Sequence, residues 1–332
     1  MISFGLIGLG SIGKKHLLNA YSILRDTAKY YVYDSNLNSN SISDIPSDRL
    51  VVCSSIEALY EVTLDICYIC TPNFLHFQHA FPLVEQGVPV FIEKPITINS
   101  LDCVKLINSA KSHVFVGANM RYTKPVIMAK SMIQKGALGT VIGARAYFGH
   151  DLSNWRPGTN YRQNYAVKSE FGGGIIWDGI HELDYLIFLF GAGANLSGVF
   201  GNYGVLDIEV EESADLILKH TNGVCSSIHL DYIQSLKQRG LEIYGSNATF
   251  IWNSEGKSPE VMSIKLKSRS ENRVFFNDIN KDQNLSFLNQ MRDVFSVLTN
   301  KKELESTNLL TAHKAISEIE LIEGLKKSHN EF

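Results

Sequence analysis

A glycine-rich turn near the N-terminus most constrains the fold of this chain. The turn, Gly8–Gly13 (GLGSIG), directly follows the apolar run Ile2–Ile7, and Asp34 ends the next apolar run, Tyr30–Tyr33. Strand, glycine turn, helix, strand and acid in this order are the arrangement that binds a dinucleotide. The first glycine makes the turn tight, the second lets the backbone approach a pyrophosphate, and the third lets the helix pack closely on the strand.

The same segment predicts which dinucleotide binds. The phosphates are expected on the N–H groups at the N-terminus of the helix that follows the turn. A carboxylate at Asp34 accepts hydrogen bonds from the ribose hydroxyls and repels a 2′-phosphate, and the neighbouring Ser35 and Asn36 offer no cation. We therefore predict NAD rather than NADP; the alternative is a tight strand–helix turn without a ligand. The expected contacts are Gly8, Gly10, Ser11, Ile12, Gly13 and Asp34.

Composition is that of an ordinary globular protein, with 45% hydrophobic and 20% charged residues and a net charge of −3. No basic field argues for nucleic acid or an anionic membrane as partner. The first strand begins within two residues of the N-terminus, which leaves no room for a signal peptide. Cys67 and Cys70 form a C-x-x-C within a strand-like run, so we interpret them as buried core thiols rather than a redox pair. We expect a cytoplasmic protein.

Strand and helix patterns alternate up to about residue 120, and consecutive strands follow. The alternation predicts a parallel sheet with helices on both faces. The later strands, joined by turns such as Thr221-Asn222-Gly223, predict a largely antiparallel sheet. The predicted fold is therefore α/β, with an N-terminal doubly wound Rossmann sheet over residues 1–119 and a C-terminal α+β domain on a largely antiparallel open sheet over residues 120–332.

Two polar segments follow strands at the predicted carboxyl edge of the first sheet, where ligands bind in this architecture. A lysine in the segment Glu93–Pro95 can place a cation beside a substrate hydroxyl or carbonyl, and Pro95 restricts Lys94 to extended conformations. The other segment is Thr71–Asn73, with His76 one turn into the next helix. The alternatives are a solvated lysine and a plain turn that caps a helix. The candidate cofactor contacts here are Thr71, Pro72, Asn73, His76, Glu93 and Lys94.

A glycine run leads into a helix that is predicted to begin at about Ile175. Polar residues form one stripe on it at i, i+3, i+4 and i+7 spacing: Asp178, His181, Glu182 and Tyr185. The helix is otherwise apolar, and buried ionisable groups are costly without partners, so we expect the stripe to face a cleft. Histidine suits proton transfer near neutral pH, and Asp178 can orient its ring or contact a substrate hydroxyl. The alternative is a solvated helix face.

The segment Trp155–Tyr165 is loop-like, aromatic and rich in hydrogen-bond donors. Such a loop suits a polyhydroxylated ligand, because aromatic faces pack on sugar rings and arginine forks bind carboxylate or phosphate. An ordered surface loop is the alternative. The candidates for a sugar pocket, with one residue from an earlier segment, are Tyr122, Trp155, Arg156, Tyr161 and Tyr165.

In combination, these segments resemble the Gfo/Idh/MocA family of NAD(P)-dependent oxidoreductases, which includes glucose–fructose oxidoreductase and inositol dehydrogenases. The resemblance rests on GLIGLGSIGKKH, TPNFLH, EKP, GANMRY (Gly117–Tyr122) and GGGIIWDGIHELD (Gly172–Asp184). It implies that Lys94 and His181 are catalytic and that Asp178 assists them. Many members place that aspartate four residues before the histidine, whereas the gap here is three; both spacings stay on one helical face. Asp184 lies nearer the apolar edge, and we predict that it pairs with an arginine.

The resemblance implies a dehydrogenase that moves hydride between a sugar ring hydroxyl and nicotinamide. The D-x-x-H-E-x-D form resembles a branch associated with bacterial surface-glycan and nonulosonic-acid pathways. Two alternatives stay open: a redox-neutral sugar hydrolase or eliminase that retains NAD, and a non-enzymatic NAD-sensing regulator. In the resembled family the open face of the C-terminal sheet forms the dimer interface. Helices are expected on the other face only, so the open face would expose apolar side chains unless it is covered. We expect a homodimer or homotetramer, with a small carbohydrate as substrate and no metal.

Overall fold

The structure, a computed structural model, describes residues 1–36, 44–155, 160–256, 260–281 and 283–329. Its strands are β1 (Ile2–Ile7), β2 (Ala28–Tyr33), β3 (Leu50–Val52), β4 (Ile66–Ile69), β5 (Val90–Ile92), β6 (Val114–Val116), β7 (Val141–Gly149), β8 (Gly193–Gly201), β9 (Ser213–His220), β10 (Cys225–Asp231), β11 (Gln238–Gly245), β12 (Ala248–Glu255), β13 (Val261–Ser268), β14 (Asn272–Ile279) and β15 (Leu310–Thr311). Its α-helices are α1 (Ser11–Leu24), α2 (Ile56–Tyr60), α3 (His76–Gln86), α4 (Ser100–Ser109), α5 (Lys124–Gln134), α6 (Ile175–Asp178), α7 (Ile180–Phe190), α8 (Leu285–Leu298) and α9 (Ala312–His329).

The chain divides into two compact units. The first comprises Met1–Asn119 and Ser286–Ile319, and the second comprises Met120–Leu285 and the segment from Glu320 onward. The first break coincides with the predicted division after residue 119. The structure differs from the prediction in the C-terminal part, because Ser286–Ile319 returns to the first unit.

The first unit contains a seven-stranded sheet of order β15-β6-β5-β4-β1-β2-β3. Strands β1 to β6 pair in parallel, and only β15 runs antiparallel to its neighbour β6. The central strand β4 is buried throughout because helices cover both faces of such a sheet. The order 3-2-1-4-5-6 is that of a doubly wound Rossmann fold, as predicted.

The register of this sheet places the carboxyl ends of its strands in one row. Ile7 of β1 pairs with Tyr33 of β2 and Ile69 of β4, Ile69 pairs with Ile92 of β5, and Ile92 pairs with Val116 of β6. The residues that follow these strands therefore stand along one edge of the sheet: Gly8, Asp34, Cys70, Glu93 and Gly117.

The returning segment has a physical reason to join the first unit. The side-chain amide of Gln290 in α8 donates a 3.1 Å hydrogen bond to the carbonyl of Val116, and the ring of Phe295 lies 6.4 Å from that of Phe4. Leu310 of β15 pairs with Val116 as well. Helix α8 thus packs its apolar face on the parallel sheet, and β15 extends that sheet beyond β6.

The second unit is built on an eight-stranded sheet of order β14-β13-β12-β11-β7-β10-β9-β8. Neighbouring strands are antiparallel except for β10 and β7, which are parallel. One face is buried through residues such as Leu241, Phe250 and Trp252. This confirms the predicted fold class of a Rossmann sheet followed by an α+β domain on a largely antiparallel sheet.

The opposite face of this sheet is more polar than we predicted. Arg145, Tyr147, His229 and Glu242 stand on it, and the imidazole of His229 bonds two aspartates of the same face. Apolar side chains such as Ile217 (44% exposed) are interspersed among them. The face thus exposes apolar side chains, as expected, but alternate positions of these strands carry mostly hydrogen-bonding groups.

The two cysteines of the C-x-x-C are buried in and just after β4. Burial raises the pKa of both thiols above the ordinary value, so they stay protonated, which confirms their interpretation as core residues. Within the described ranges, no helix is both long enough and apolar enough to cross a membrane.

Candidate functional site

The three glycines of the turn meet different surroundings. A Cβ at Gly8, whose φ is +93°, would lie 2.8 Å from backbone atoms of Cys70 and Thr71, and a Cβ at Gly13 would overlap the carbonyl oxygen of Gly8. A Cβ at Gly10 would meet nothing within 4 Å. The packing of helix on strand thus requires the first and third glycines, whereas the second borders open space.

That open space lies at the N-terminus of α1. Gly10 is the N-cap residue and provides no side-chain hydrogen bond, Ser11 is exposed, and Ile12 is partly exposed. The N–H groups of a first helical turn have no partner within the helix and favour an anion. The arrangement fits a pyrophosphate.

Asp34 stands beside the same turn. The backbone N–H of Leu9 donates a 2.5 Å hydrogen bond to its Oδ2, and the N–H of Asn36 donates a 2.8 Å hydrogen bond to its Oδ1. These two bonds fix a partly exposed carboxylate next to the glycine turn, at the distance along the sheet edge where a ribose would lie.

The second feature of this edge is the segment after β5. Glu93 accepts a 2.7 Å hydrogen bond from Nε2 of the buried His16, and the N–H of Lys94 donates to its other oxygen at 3.2 Å. Burial alone raises the pKa of Glu93, but the bond and charge interaction with His16 and the charge of Lys94 outweigh it, so this pKa lies below its ordinary value. Lys94 is partly exposed, and its peptide bond to Pro95 is cis.

His76 does not fit the predicted role of a cofactor contact. It is 1% exposed, and its two ring nitrogens lie 2.8 Å from the carbonyl oxygen of Pro95 and 2.9 Å from that of Thr71. Burial lowers its pKa, against the smaller opposing effect of those carbonyls. His76 therefore ties the loops after β4 and β5 together. Asn73 is buried as well, whereas Thr71 and Pro72 are partly exposed at the edge.

In the second unit the predicted continuous helix is broken. Gly179 separates α6 from α7. A Cβ there would lie 2.7 Å from the side chain of Leu230 in β10, so the backbone at this bend lies close to the sheet. Asp178 ends α6 and His181 lies in the first turn of α7; both are partly exposed.

The predicted polar stripe splits at this bend. Glu182 is fully buried and pairs with Arg239 at 2.8 Å, and the hydroxyl of Tyr185 points to the carbonyl of Gly240. The polar groups of these two residues face the sheet rather than a cleft, which corrects the prediction for them. The predicted pairing of Asp184 is confirmed, because Arg121 donates two hydrogen bonds of 2.9 and 2.5 Å to its Oδ1.

Asp178 belongs to an aromatic cluster. The hydroxyl of the buried Tyr232 donates a 2.7 Å hydrogen bond to it, and burial, followed by the charge of Asp178, raises the pKa of Tyr232 well above its ordinary value. The indole of Trp155 packs edge-on against Tyr232 at 5.3 Å and stacks on His150. Tyr165 is near enough to contribute to the same pKa shift.

Two of the remaining sugar-pocket candidates lie in the described part of the chain. Tyr122 is buried, with 6% exposed, and the hydroxyl of Tyr161 donates a 3.0 Å hydrogen bond to the carbonyl of Leu206. Arg156 lies outside the described residues. The second unit thus brings Trp155 and Asp178 together around Tyr232, whereas the hydroxyl of Tyr161 bonds Leu206.

Two family models match the chain. One, described as an oxidoreductase family with an NAD-binding Rossmann fold, matches residues 2–118, and the other, described as the GFO/IDH/MocA C-terminal domain, matches residues 126–251. The chain belongs to the Gfo/Idh/MocA family. The predicted family is confirmed, and so is NAD as the cofactor type of its Rossmann domain.

Individual members of the Gfo/Idh/MocA family have low sequence identity to this chain. The 2,7-anhydro-N-acetylneuraminate hydratase of Escherichia coli K12 is 29% identical over 196 residues, which are 58% of this chain and 50% of that protein. The inositol 2-dehydrogenase of Gluconacetobacter diazotrophicus is 23% identical over 189 residues, 55% of this chain and 52% of that protein. The chain therefore matches about half the length of these curated relatives. A levoglucosan dehydrogenase solved in complex with NADH shares the fold, with a TM-score of 0.81 and 16% identity over 99% of this chain and 97% of that one.

Two residues of this Gfo/Idh/MocA protein escaped the sequence analysis. Tyr232 was counted only as the end of a strand, and His16 only as the last letter of the GLIGLGSIGKKH segment. A weak signal existed for each: Tyr232 follows a strand on which the Asp178 segment packs, and His16 is a polar residue on the apolar side of α1. Their partners, Asp178 and Glu93, are distant in sequence and only the fold identifies them.

Proposed function

We propose that this chain is an NAD-dependent oxidoreductase that acts on a ring CH–OH group of a sugar or sugar derivative. One observation carries the proposal: the register of the first sheet sets the glycine turn, Asp34 and the segment of Lys94 along one edge. Open N–H groups, a ribose-binding acid and a cation on one edge suit a nicotinamide dinucleotide and a polar substrate. Bound NAD would accept or supply the hydride.

The roles of the side chains follow from their chemistry. In the oxidative direction His181 removes the hydroxyl proton, and Lys94 stabilises the negative charge that develops on that oxygen. Asp178 orients His181 or a substrate hydroxyl. The support is that Asp178 and His181 keep part of their surface exposed, whereas Glu182 and Asp184, next to them in sequence, are buried in ion pairs.

The proposal also covers which cofactor and which class of substrate the protein binds. Asp34 favours NAD over NADP because a 2′-phosphate would meet its carboxylate. Trp155 and Tyr165, beside the Asp178–Tyr232 pair, offer aromatic faces to a sugar ring, and we retain Tyr122 and Tyr161 as further candidates. An amino sugar or its nucleotide-activated form, in surface-glycan or nonulosonic-acid metabolism, is the substrate class we propose. A relative named for an N-acetylneuraminate derivative supports it.

A second candidate function is a redox-neutral reaction with retained NAD, in which the sugar is oxidised, a substituent is eliminated or hydrolysed, and the sugar is reduced again. The observation that favours it is the name of the E. coli relative, which is a hydratase. The same residues would serve, since proton removal and charge stabilisation are needed in both reactions.

The deciding experiment incubates the purified protein with NAD and a panel of free and nucleotide-linked sugars, including amino sugars and sialic-acid-like compounds. Appearance of the near-ultraviolet absorbance of NADH with one sugar would support the dehydrogenase. Product formation without net NADH, together with nucleotide released only on denaturation, would support the redox-neutral reaction. No change in any sugar or in NADH would contradict both.

We also propose a cytoplasmic homodimer or homotetramer that associates through the outer face of the C-terminal sheet. The mixture of polar pairs and exposed apolar side chains on that face, such as Ile217 and Val261, supports association. Light scattering tests it, and a monomer at micromolar concentration would contradict it.

A further inference from the structure

The strongest unexplained feature of the first unit is a buried polar pair, His16 of α1 and Glu93 after β5. His16 is 1% exposed and is surrounded by the rings of Tyr68, Phe91 and Phe287 at 5.2 to 5.8 Å. Its Nδ1 is buried and finds no hydrogen-bond partner among the described residues. An apolar side chain would fill such a box without burying an unsatisfied Nδ1, so the filling of this space does not by itself account for a histidine here.

Glu93 explains what the histidine achieves. The carboxylate accepts the Nε2–H of His16 through one oxygen and the backbone N–H of Lys94 through the other. It also packs against the next strand end, since a Cβ at Gly117 would lie 2.9 Å from the Glu93 Cδ. His16 therefore holds the carboxylate in the one orientation that bonds the Lys94 backbone.

Lys94 is anchored on its other side as well. The carbonyl of Pro95 lies 2.8 Å from Nδ1 of His76, which is itself buried. The residues on both sides of Lys94 are thus fixed by buried histidines, and one of these belongs to α1, the helix whose N-terminus borders the glycine turn.

We propose that the His16–Glu93 pair positions Lys94, so that both residues act on the reaction through Lys94 and not by touching the substrate. The inference rests on the proposed function, in which Lys94 stabilises charge on the reacting oxygen. A positioning residue of this kind changes turnover when removed, because small displacements of a catalytic group are costly.

The test compares three variants. His16→Phe keeps a ring in the aromatic box but removes the donor to Glu93. His16→Gln keeps an N–H donor at the position of Nε2. Leu17→Ala removes a buried side chain from the same helix without touching Glu93, and it is the control for lost stability.

The first readout does not require a substrate. Lysines are dimethylated with isotope-labelled methyl groups, and the NMR signal of Lys94 is assigned by its loss in Lys94→Arg. We expect this signal to move in His16→Phe and to stay at the wild-type position in His16→Gln and Leu17→Ala. An unchanged Lys94 signal in folded His16→Phe would overturn the inference, even if the wild type oxidised a sugar. If His16→Phe does not fold, Glu93→Gln, which keeps the shape of the side chain, takes its place. The same movement of the Lys94 signal is expected, and an unchanged signal would overturn the inference.

The second readout uses the sugar identified for the wild type. In His16→Phe we expect kcat to fall roughly 10- to 100-fold with the KM and the NAD dissociation constant nearly unchanged, and His16→Gln to recover most of the rate. An equal loss in Leu17→Ala would show that only stability matters. If the wild type turns over no sugar, the proposed function fails while the NMR signal still decides the positioning role.

Discussion

The hydroxyl of Tyr232, directly after β10, donates a 2.7 Å hydrogen bond to the carboxylate of Asp178 at the end of α6. The phenol is fully buried, so this bond satisfies its only polar atom and at the same time fixes a partly exposed carboxylate. Asp178 thus has a set orientation before any substrate arrives, which is the property required of a residue that orients a catalytic histidine.

Tyr232→Phe should lower the free energy of unfolding by about 1 kcal/mol, the ordinary contribution of one hydrogen bond, and lower kcat roughly tenfold because Asp178 loses its orienting partner. Urea unfolding and initial rates measure the two effects. Tyr147→Phe is the matched control, since its hydroxyl bonds Asn253 on the outer face of the sheet. Equal kcat in wild type and Tyr232→Phe would contradict an orienting role.

Two glycine variants separate packing from ligand binding. Gly10→Ala should leave the melting temperature unchanged, because its Cβ meets open space and its φ of −61° suits alanine, but it should weaken NAD binding by placing a methyl group where the pyrophosphate lies. Gly13→Ala should unfold the protein at clearly lower temperature, because its Cβ overlaps the Gly8 carbonyl. Thermal melts and NAD titration measure both. Tight NAD binding by Gly10→Ala would argue against this turn as the pyrophosphate site.

Cofactor preference should depend on Asp34. We expect the wild type to bind NAD more tightly than NADP. Asp34→Asn should lose about tenfold in NAD affinity, because hydrogen bonds to a charged group are lost, and the difference between its NAD and NADP affinities should be smaller. The amide keeps an acceptor for the Leu9 N–H, so the turn itself should persist. Titration with both cofactors measures the effect, with exposed Asp26→Asn as control. Comparable affinity of the wild type for both cofactors would contradict the role of Asp34 in cofactor preference.

Lys94→Ala should lower kcat at least ~10²-fold, on the scale of a lost general acid–base group, while NAD still binds. Lys105→Ala is the control, because Lys105 is 60% exposed on α4, where it pairs with Asp102 and lies over the ring of Phe77. Steady-state rates and NAD titration distinguish the two. A Lys94→Ala enzyme with near wild-type turnover would refute the catalytic role.

His229 should make stability depend on pH. Its hydrogen bond to Asp231, helped by Asp215 and opposed by burial, raises its pKa to about 9, well above that of an unfolded chain. The stabilisation is therefore fully present below about pH 6.5 and is lost as the pH rises through about 9. The difference in unfolding free energy between wild type and His229→Gln should accordingly shrink between about pH 6 and about pH 9.5 in urea titrations. A difference that grows with pH would contradict the assignment.

Local patterns predicted the first sheet, the glycine turn and the pairing of Asp184 with an arginine, because each depends on periodicity or on a charge that must be neutralised within a buried helix. The burial of the side chains of His76, Glu182 and Tyr185 could not be predicted in this way. All three are polar residues at helical spacing, and only the tertiary fold supplies the backbone carbonyls or the arginine that satisfy them.

The return of Ser286–Ile319 to the first unit was equally hidden. Nothing in the amphipathic pattern of α8 names the sheet on which it packs, and the β15 strand has only two residues. Chain order favoured a single break after residue 119, whereas the hydrogen bond of Gln290 to Val116 belongs to the Rossmann sheet. The order of segments along the chain therefore does not show which unit a segment belongs to when a short strand such as β15 pairs with a sheet formed much earlier in the sequence.

The pairing of Leu310 with Val116 also fixes an order of events on the ribosome. The β6 edge of the Rossmann sheet leaves the ribosome early, but its partner strand follows only after Met120–Leu285 of the second unit has been translated. During that interval the nascent chain presents an unpaired strand edge, the kind of surface on which chains associate wrongly. Completion of the dinucleotide-binding unit is therefore delayed until β15 has been made, and a chain that stops before Leu310 would lack it.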